Sequence, residues 1–124
     1  MTQLPRDSSL DALLDLDGET FVVDRAGQHW VRFRVRRVPP TRDRPHGIDY
    51  SLTLHGAEGT RLVGFDNAHP ARSGSGPGGR HQKPYDHKHR YRTIRPYEYQ
   101  DAATLLVDFW AEVDAVLKER GIKP

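Results

Sequence analysis

Residues 48–67, IDYSLTLHGAEGTRLVGFDN, combine two regular β patterns with a short connection between them. The apolar positions that alternate with polar ones in the first half are Ile48, Tyr50, Leu52 and Leu54. This alternation is typical of a strand with one buried face. The glycines of HGAEGT favour a tight turn, after which Val63 and Phe65 point toward a core. The stretch therefore predicts an antiparallel hairpin between residues 48–54 and 60–66.

A helix and a second hairpin are predicted before this stretch. Leucines at helical spacing in residues 8–16 predict a short N-terminal helix. Residues 20–38 contain a short β-branched and aromatic run, a turn at residues 24–27 and a longer alternating run. In the longer run, one face carries Val31, Phe33 and Val35, and the other carries Trp30, Arg32, Arg34 and Arg36. We expect the first face to pack and the second to remain cationic.

The C-terminal part predicts one more strand and a helix. Residues 87–97 have extended character, with Tyr91, Ile94 and Tyr97 as candidate anchors. After Asp101, a capping residue, apolar side chains recur every three or four positions to residue 117. This apolar stripe requires a sheet to cover it. The prediction is an α+β fold: an antiparallel sheet of about five strands, with the C-terminal helix and the short N-terminal helix packed on one face.

Length and composition predict the organisation and the compartment. A chain of 124 residues suits a single domain, 1–124, with a flexible glycine-rich loop at about 70–84. The chain has no cysteine, which fits a reducing compartment and excludes disulfides and thiolate-bound zinc. Its first residues are acidic, and no run approaches membrane-spanning length. We therefore expect a cytoplasmic protein with no membrane partner.

The formal net charge of +2 conceals a strong sorting of charge along the chain. Residues 25–46 hold seven arginines against one aspartate, and residues 61–100 hold eight cations against three acids. Such a positive field attracts a polyanion, and we expect RNA as the partner. The predicted RNA-binding residues are Arg32, Arg34, Arg36, Arg90 and Arg92. The alternative is a solvated strand face on which the arginines only confer solubility.

Polar and basic residues cluster on both sides of the glycine-rich loop. GFDNAH closes one predicted strand and PYDHKHR opens the next, so their polar residues should meet at one end of the sheet. Strand alternation places His87 and His89 on one face and Asp86, Lys88 and Arg90 on the other, unless twist brings both sets into one cleft.

Two chemistries fit these residue types. In the first, a histidine removes the proton of a ribose 2′-hydroxyl, a second acid protonates the leaving oxygen, and Lys88 or Arg90 stabilises the phosphate charge, with no metal or cofactor. In the second, the two imidazoles of the HKH run bind a divalent metal with Asp66 or Asp86. Solvated or hydrogen-bonded surface histidines are the alternative to both.

Two motifs resemble the TumE family of bacterial toxins. They are the run from Tyr50 to residue 69, YSLTLHGAEGTRLVGFDNAH, and the run YDHKH at residues 85–89. The resemblance extends in layout over about residues 20–117, although the loop here is rich in glycine and lacks the extra histidines and prolines typical of the family. It implies the toxin of a type II toxin–antitoxin system, with a helix-turn-helix antitoxin as partner. The site residues that it carries over are Asp66, Asn67, His69, His87, Lys88 and His89.

These observations leave four functions open. The first is a toxin that acts as a metal-independent endoribonuclease. The second is a non-enzymatic module that binds nucleic acid or inhibits nucleic-acid machinery through the same surface. The third is a metal-dependent nuclease that uses the histidine and aspartate cluster. The fourth is a small structural or regulatory protein whose histidines have no catalytic role.

Overall fold

A computed structural model describes residues 9–42, 44–67 and 86–124 of the chain. Within these residues, the sheet is an antiparallel meander in which each strand pairs with its neighbours in sequence. Its strands are β1 (Thr20–Val22), β2 (Trp30–Arg37), β3 (Ile48–His55), β4 (Arg61–Asp66), β5 (His87–Arg90) and β6 (Thr93–Pro96). The helices are α1 (Ser9–Asp15) and α2 (Ala102–Glu119). The predicted α+β class is confirmed, with six described strands where about five were expected.

The additional strand arises because residues 87–97 form a hairpin and not one extended run. The chain reverses at Tyr91, whose φ of 55° lies in the left-handed region that side chains other than glycine seldom adopt. Tertiary contacts hold this turn: the backbone N–H of Tyr91 donates to the carbonyl of Leu62 at 2.9 Å. As a result Ile94, expected as an anchor, is 57% exposed, whereas Tyr97 is buried as expected.

Both helices lie on one face of the sheet and close a single apolar core. α2 begins at Asp101, whose carboxylate accepts a hydrogen bond from the N–H of Thr104 at 2.7 Å. From α2, Phe109 makes edge-to-face contacts with Phe33 of β2 at 5.7 Å and with Phe65 of β4 at 5.9 Å. α1 packs against both α2 and β2. This arrangement confirms the predicted packing of both helices on one side.

The central hairpin has the predicted pairing, and its register defines the second face. Leu52 pairs with Phe65 and Leu54 with Val63, and all four side chains are buried under the helices. The alternate residues therefore point away from the helices, to what we call the open face. Across the strands, the open face carries Trp30, Arg32, Arg34, Arg36, Asp49, Ser51, Thr53, His55, Gly64, Asp66, His87 and His89.

Two further predictions concern the N-terminal helix and the glycine-rich loop. The N-terminal helix predicted at residues 8–16 is confirmed as α1. The predicted glycine-rich loop at about 70–84 lies outside the described residues. Of the two described helices, neither combines the length and the apolar character that crossing a membrane requires.

Candidate active site on the open face

A chain of polar contacts links Arg61, His89 and Asp66 on the open face. Nε2 of His89 lies 2.9 Å from Oδ2 of Asp66, and Nη2 of Arg61 lies 3.3 Å from Nδ1 of His89. A guanidinium group only donates hydrogen bonds, so Nδ1 of His89 is the acceptor and Nε2 carries the proton that it donates to Asp66. The geometry therefore fixes a neutral imidazole with its basic nitrogen toward Arg61.

Gly64 makes room for this contact. Gly64 pairs with His89 across β4 and β5. A side-chain carbon at position 64 would lie 3.2 Å from Cδ of Arg61 and 3.5 Å from Cδ2 of His89. The Arg61 side chain thus lies across the glycine and reaches the imidazole on the neighbouring strand.

The surroundings of His89 favour its neutral form. Burial lowers the pKa of His89, and the charge of Arg61 lowers it further, while the contact with Asp66 opposes both effects. The net pKa lies below the ordinary histidine value. A histidine that is neutral at physiological pH can accept a proton, as a general base must.

His87 provides a second imidazole beside this chain of contacts. Its ring centroid lies 6.4 Å from that of His89, and it pairs with Asp66 across β4 and β5. The side chain is buried, and its Nε2 makes no hydrogen bond with the described part of the chain. The strand alternation predicted for His87 and His89 is therefore observed, with both rings on the same face.

Exposed arginines lie along strand β2 on the same face of the sheet. We call Arg32, Arg34 and Arg36 the arginine stripe; all three are exposed. Arg34 pairs with Ser51 of β3, and Ser51 pairs in turn with Asp66 of β4, so strand β3 lies between the stripe and the candidate site. A polyanion that lies across the strands can contact the stripe and the imidazoles together.

Lys88 and Arg90 lie on the opposite face, as strand alternation predicts. Nζ of Lys88 is 3.9 Å from Oε2 of Glu112, and Nη2 of Arg90 is 2.8 Å from Oε2 of Glu119, both acids of α2. The alternative, in which strand twist brings all four side chains to one cleft, is not what these contacts show. Arg92, the other predicted RNA contact on this hairpin, is exposed and lies in the turn between β5 and β6.

Asn67 supports the site and does not face it. The side chain is fully buried, accepts a hydrogen bond from the N–H of Tyr50 at 2.9 Å and donates one to the carbonyl of Ile48 at 2.8 Å. These bonds tie the end of β4 to β3 and fix the position of Asp66, which precedes Asn67. His69 lies beyond the described residues.

A second histidine and aspartate pair was missed at the sequence level. Nε2 of His46 lies 3.2 Å from Oδ2 of Asp86, and the hydroxyl of Tyr50 donates to the same oxygen at 2.7 Å. Burial raises the pKa of Tyr50, and the charge of Asp86 raises it further, so the hydroxyl remains a donor. His46 comes from the connection between β2 and β3, where no periodic pattern predicts its direction. Arg61 was missed as well, because its contact depends on the glycine at position 64.

The described residues do not form a metal site. Across residues 9–42, 44–67 and 86–124, no three side chains of histidine, cysteine, aspartate or glutamate are arranged to hold a metal ion. His69, one of the candidate residues, lies outside these ranges.

Comparison with known proteins supports the resemblance found in the sequence. The family model described as Toxin TumE matches residues 10–117, a span that contains all six described strands. No curated protein and no solved structure matches the chain. Because the family match covers far more than half of the 124 residues, the chain belongs to the TumE toxin family.

Proposed function

We propose that this toxin is a metal-independent endoribonuclease that cleaves RNA on the open face. The observation that carries the proposal is that His89 contacts both Arg61 and Asp66, with His87 beside them. The arrangement supplies a base, a residue that orients it, a second imidazole and a cation within one small area. The arginine stripe lies on the same face, with strand β3 between it and these residues, and its charge attracts the phosphate backbone.

In the proposed reaction, His89 is the general base. When the Arg61 guanidinium turns from Nδ1 of His89 to the scissile phosphate, Nδ1 accepts the proton of the ribose 2′-hydroxyl. The 2′-oxygen then forms a bond to phosphorus while the bond from phosphorus to the 5′-oxygen breaks. His87 in its protonated form gives a proton to the departing oxygen, and Asp66 stabilises the imidazolium of His89. The products are a 2′,3′-cyclic phosphate and a 5′-hydroxyl.

This mechanism differs from the initial hypothesis in the cation that supports the phosphate. Lys88 and Arg90 are engaged with Glu112 and Glu119 on the helix side of β5. Arg61 contacts the imidazole directly and takes over their role. A mobile guanidinium that neutralises charge as it develops on the phosphate is well suited to this step.

The proposed partner is a helix-turn-helix antitoxin, as the family suggests, and both proteins would act in the cytoplasm. An exposed cationic surface is most simply neutralised by a partner that covers it with acids. We therefore expect the antitoxin to contact the arginine stripe. Replacing Arg32, Arg34 and Arg36 with glutamate should weaken binding to the antitoxin in a pull-down of the purified proteins.

The test is inducible expression of the wild type and of the His87→Ala/His89→Ala variant, with total RNA separated minutes after induction. Discrete loss of RNA species in the wild type alone is expected. The purified wild type should also cleave RNA, but not DNA of the same sequence, in the presence of EDTA.

Other outcomes would point to different functions. Cleavage that stops with EDTA and returns with manganese would replace the proposal with a metal-dependent nuclease. Growth arrest by both proteins with intact RNA would indicate an inhibitor without catalytic activity.

A further inference from the structure

An aromatic pair occupies the open face close to the candidate site. Trp30 of β2 and His55 of β3 are cross-strand partners, and their rings are stacked at 5.7 Å between centroids with 17° between their planes. Both side chains are half-buried, and they lie on the side of the sheet opposite the helices. Unlike the core aromatic residues Phe33, Phe65 and Phe109, this pair does not pack between the sheet and α2.

The ring of His55 is held by two hydrogen bonds. Nδ1 lies 3.2 Å from the carbonyl oxygen of Gly59, which can only accept, so Nδ1 carries the proton. Nε2 lies 2.9 Å from the hydroxyl of Thr53, which can donate to it. Both ring nitrogens are engaged in hydrogen bonds, so the ring of His55 is held in a fixed orientation as an aromatic surface.

The pair is connected to the candidate site through Arg61. His55 pairs with Arg61 at the irregular end of the β3–β4 ladder, and Arg61 reaches Nδ1 of His89. On the other side, Arg32 follows Trp30 by two residues on the same face. Alternate residues of a strand are about 7 Å apart. Trp30 and His55 are therefore neighbours of two arginines, Arg32 and Arg61. Arg61 is the residue that connects them to His89, the proposed base.

We propose that Trp30 and His55 form a stacking subsite for a nucleobase of single-stranded RNA, next to the phosphate that is cleaved. The proposal rests on the proposed function and adds to it where the RNA is held. Aromatic faces beside a cationic groove bind any base, because every base has a π face. The subsite thus supplies affinity and position and does not select a sequence.

Binding can be measured without cleavage. The probe is a short single-stranded RNA whose 2′-hydroxyls are methylated, so that it lacks the nucleophile, and its affinity for the full-length protein is measured by fluorescence anisotropy. A second probe has the same backbone with abasic positions. The proteins are the wild type, Trp30→Ala, Trp30→Phe and, as a control at an exposed apolar residue of α2 on the other side of the sheet, Val107→Ala.

Trp30→Ala should weaken binding of the base-containing RNA about tenfold, in keeping with the usual contribution of one stacked base. Trp30→Phe should lose about threefold or less, and Val107→Ala should bind like the wild type. On the abasic RNA, all four proteins should bind within about twofold of each other. The dependence of affinity on salt should not change with Trp30→Ala, since no phosphate contact is removed.

A fluorescence measurement keeps the test independent of any loss of stability. RNA should quench the tryptophan emission of the wild type and leave that of Trp30→Phe unchanged, because Trp110 packs against Phe33 and Phe109 on the helix side. Equal affinity of the wild type and Trp30→Ala for the base-containing RNA would overturn the stacking subsite. So would an equal loss by Trp30→Ala on the abasic RNA, or the same quenching in Trp30→Phe.

The outcome separates the subsite from the reaction. A wild type that cleaves RNA while Trp30→Ala binds it equally well would refute the subsite alone. A wild type that binds with the expected differences but cleaves no RNA would refute the reaction and leave the subsite supported. A wild type that does not bind the methylated RNA at all would refute the subsite.

Discussion

The two faces of strand β5 place similar side chains in very different surroundings. His87 and His89 point to the open face, where His89 contacts Asp66 and Arg61 and the arginine stripe lies nearby. Lys88 and Arg90, each adjacent to them in sequence, point to α2 and lie near Glu112 and Glu119. Strand alternation therefore decides which of these residues can act together. Four consecutive residues with similar chemistry divide into a candidate catalytic pair and a pair that joins the sheet to a helix.

The largest expected effect comes from His89→Ala. Loss of the proposed base should reduce the rate of RNA cleavage about 10²–10⁴-fold, measured in EDTA under single-turnover conditions. Lys88→Ala is the matched control, because it removes a neighbouring charge from the other face of the same strand, and its rate should stay within about threefold of the wild type. A Lys88→Ala variant as inactive as His89→Ala would contradict the assignment of catalysis to the open face of β5 alone.

A large loss of stability is expected for Asn67→Ala. The substitution leaves the N–H of Tyr50 and the carbonyl of Ile48 without their side-chain partner, and each buried group costs about 1–3 kcal/mol when unpaired. We expect the free energy of unfolding in urea to fall by about 3 kcal/mol. Arg34→Ala, an exposed substitution on the same sheet, should change it by less than about 0.5 kcal/mol. Similar small changes in both variants would contradict the supporting role of Asn67.

The protonation of His89 should give cleavage a characteristic pH dependence. In the proposed reaction the neutral form is the base, so cleavage should fall as the pH drops through the pKa of His89, and a lowered pKa should preserve cleavage to a lower pH. The midpoint of the acidic limb should lie below the ordinary histidine pKa of about 6.5. Arg61→Ala removes one cause of the lowering and should move the midpoint to higher pH.

NMR titration of the His89 ring checks this shift without relying on activity. The same Arg61→Ala variant should move the titration midpoint of the ring upward. A titration curve that is identical in the wild type and the variant would show that Arg61 does not act on His89.

A smaller effect is expected for Arg34→Ala on the open face. Each phosphate contact contributes nearly one unit to the slope of log affinity against log salt for duplex DNA, and about 0.7 for single strands. Removing one contact should reduce the slope for single-stranded RNA by about 0.7 and weaken binding several-fold at low salt. Arg37→Ala, on the other face of the same strand, is the control. An unchanged slope in Arg34→Ala would remove the stripe from the RNA path.

The smallest effect is expected for the ion pair of Lys88 with Glu112. Both side chains are partly exposed, and the closest atoms are 3.9 Å apart. Such pairs contribute about 0–1 kcal/mol. A double-mutant cycle with alanine at both positions should give a coupling energy of that size in urea unfolding. A coupling energy well above this range would show that this ion pair stabilises the packing of β5 on α2 more than a solvated pair does.

Much of the fold could be predicted because its signals are local. The alternation of residues 48–54 and the turn after them determine the central hairpin, and the three- and four-residue spacing after Asp101 determines α2. The turn between β5 and β6 could not be predicted, because Tyr91 carries none of the usual turn chemistry and is held by contacts to Leu62 and Glu119. A tertiary contact of this kind leaves no pattern in the local sequence.

The candidate site could be predicted only in part. The position of His87 and His89 on the same face follows from the two-residue period of a strand. Asp66 is predicted nearby because it ends the preceding strand. The burial of Asn67 and the position of Arg61 depend on register across strands, which sequence spacing does not define. The predicted contribution of His69 stays a prediction.

The bare backbone at position 64 has a consequence for the whole group around it. A methyl carbon there would lie 3.2 Å from Cδ of Arg61, so this flexible side chain would have to shift away from it. A shift that carries the guanidinium away from Nδ1 of His89 would weaken one of the two effects that lower the pKa of His89, while burial of the ring would still lower it. The absence of a side chain at position 64 thus contributes to the low pKa of a histidine on the neighbouring strand.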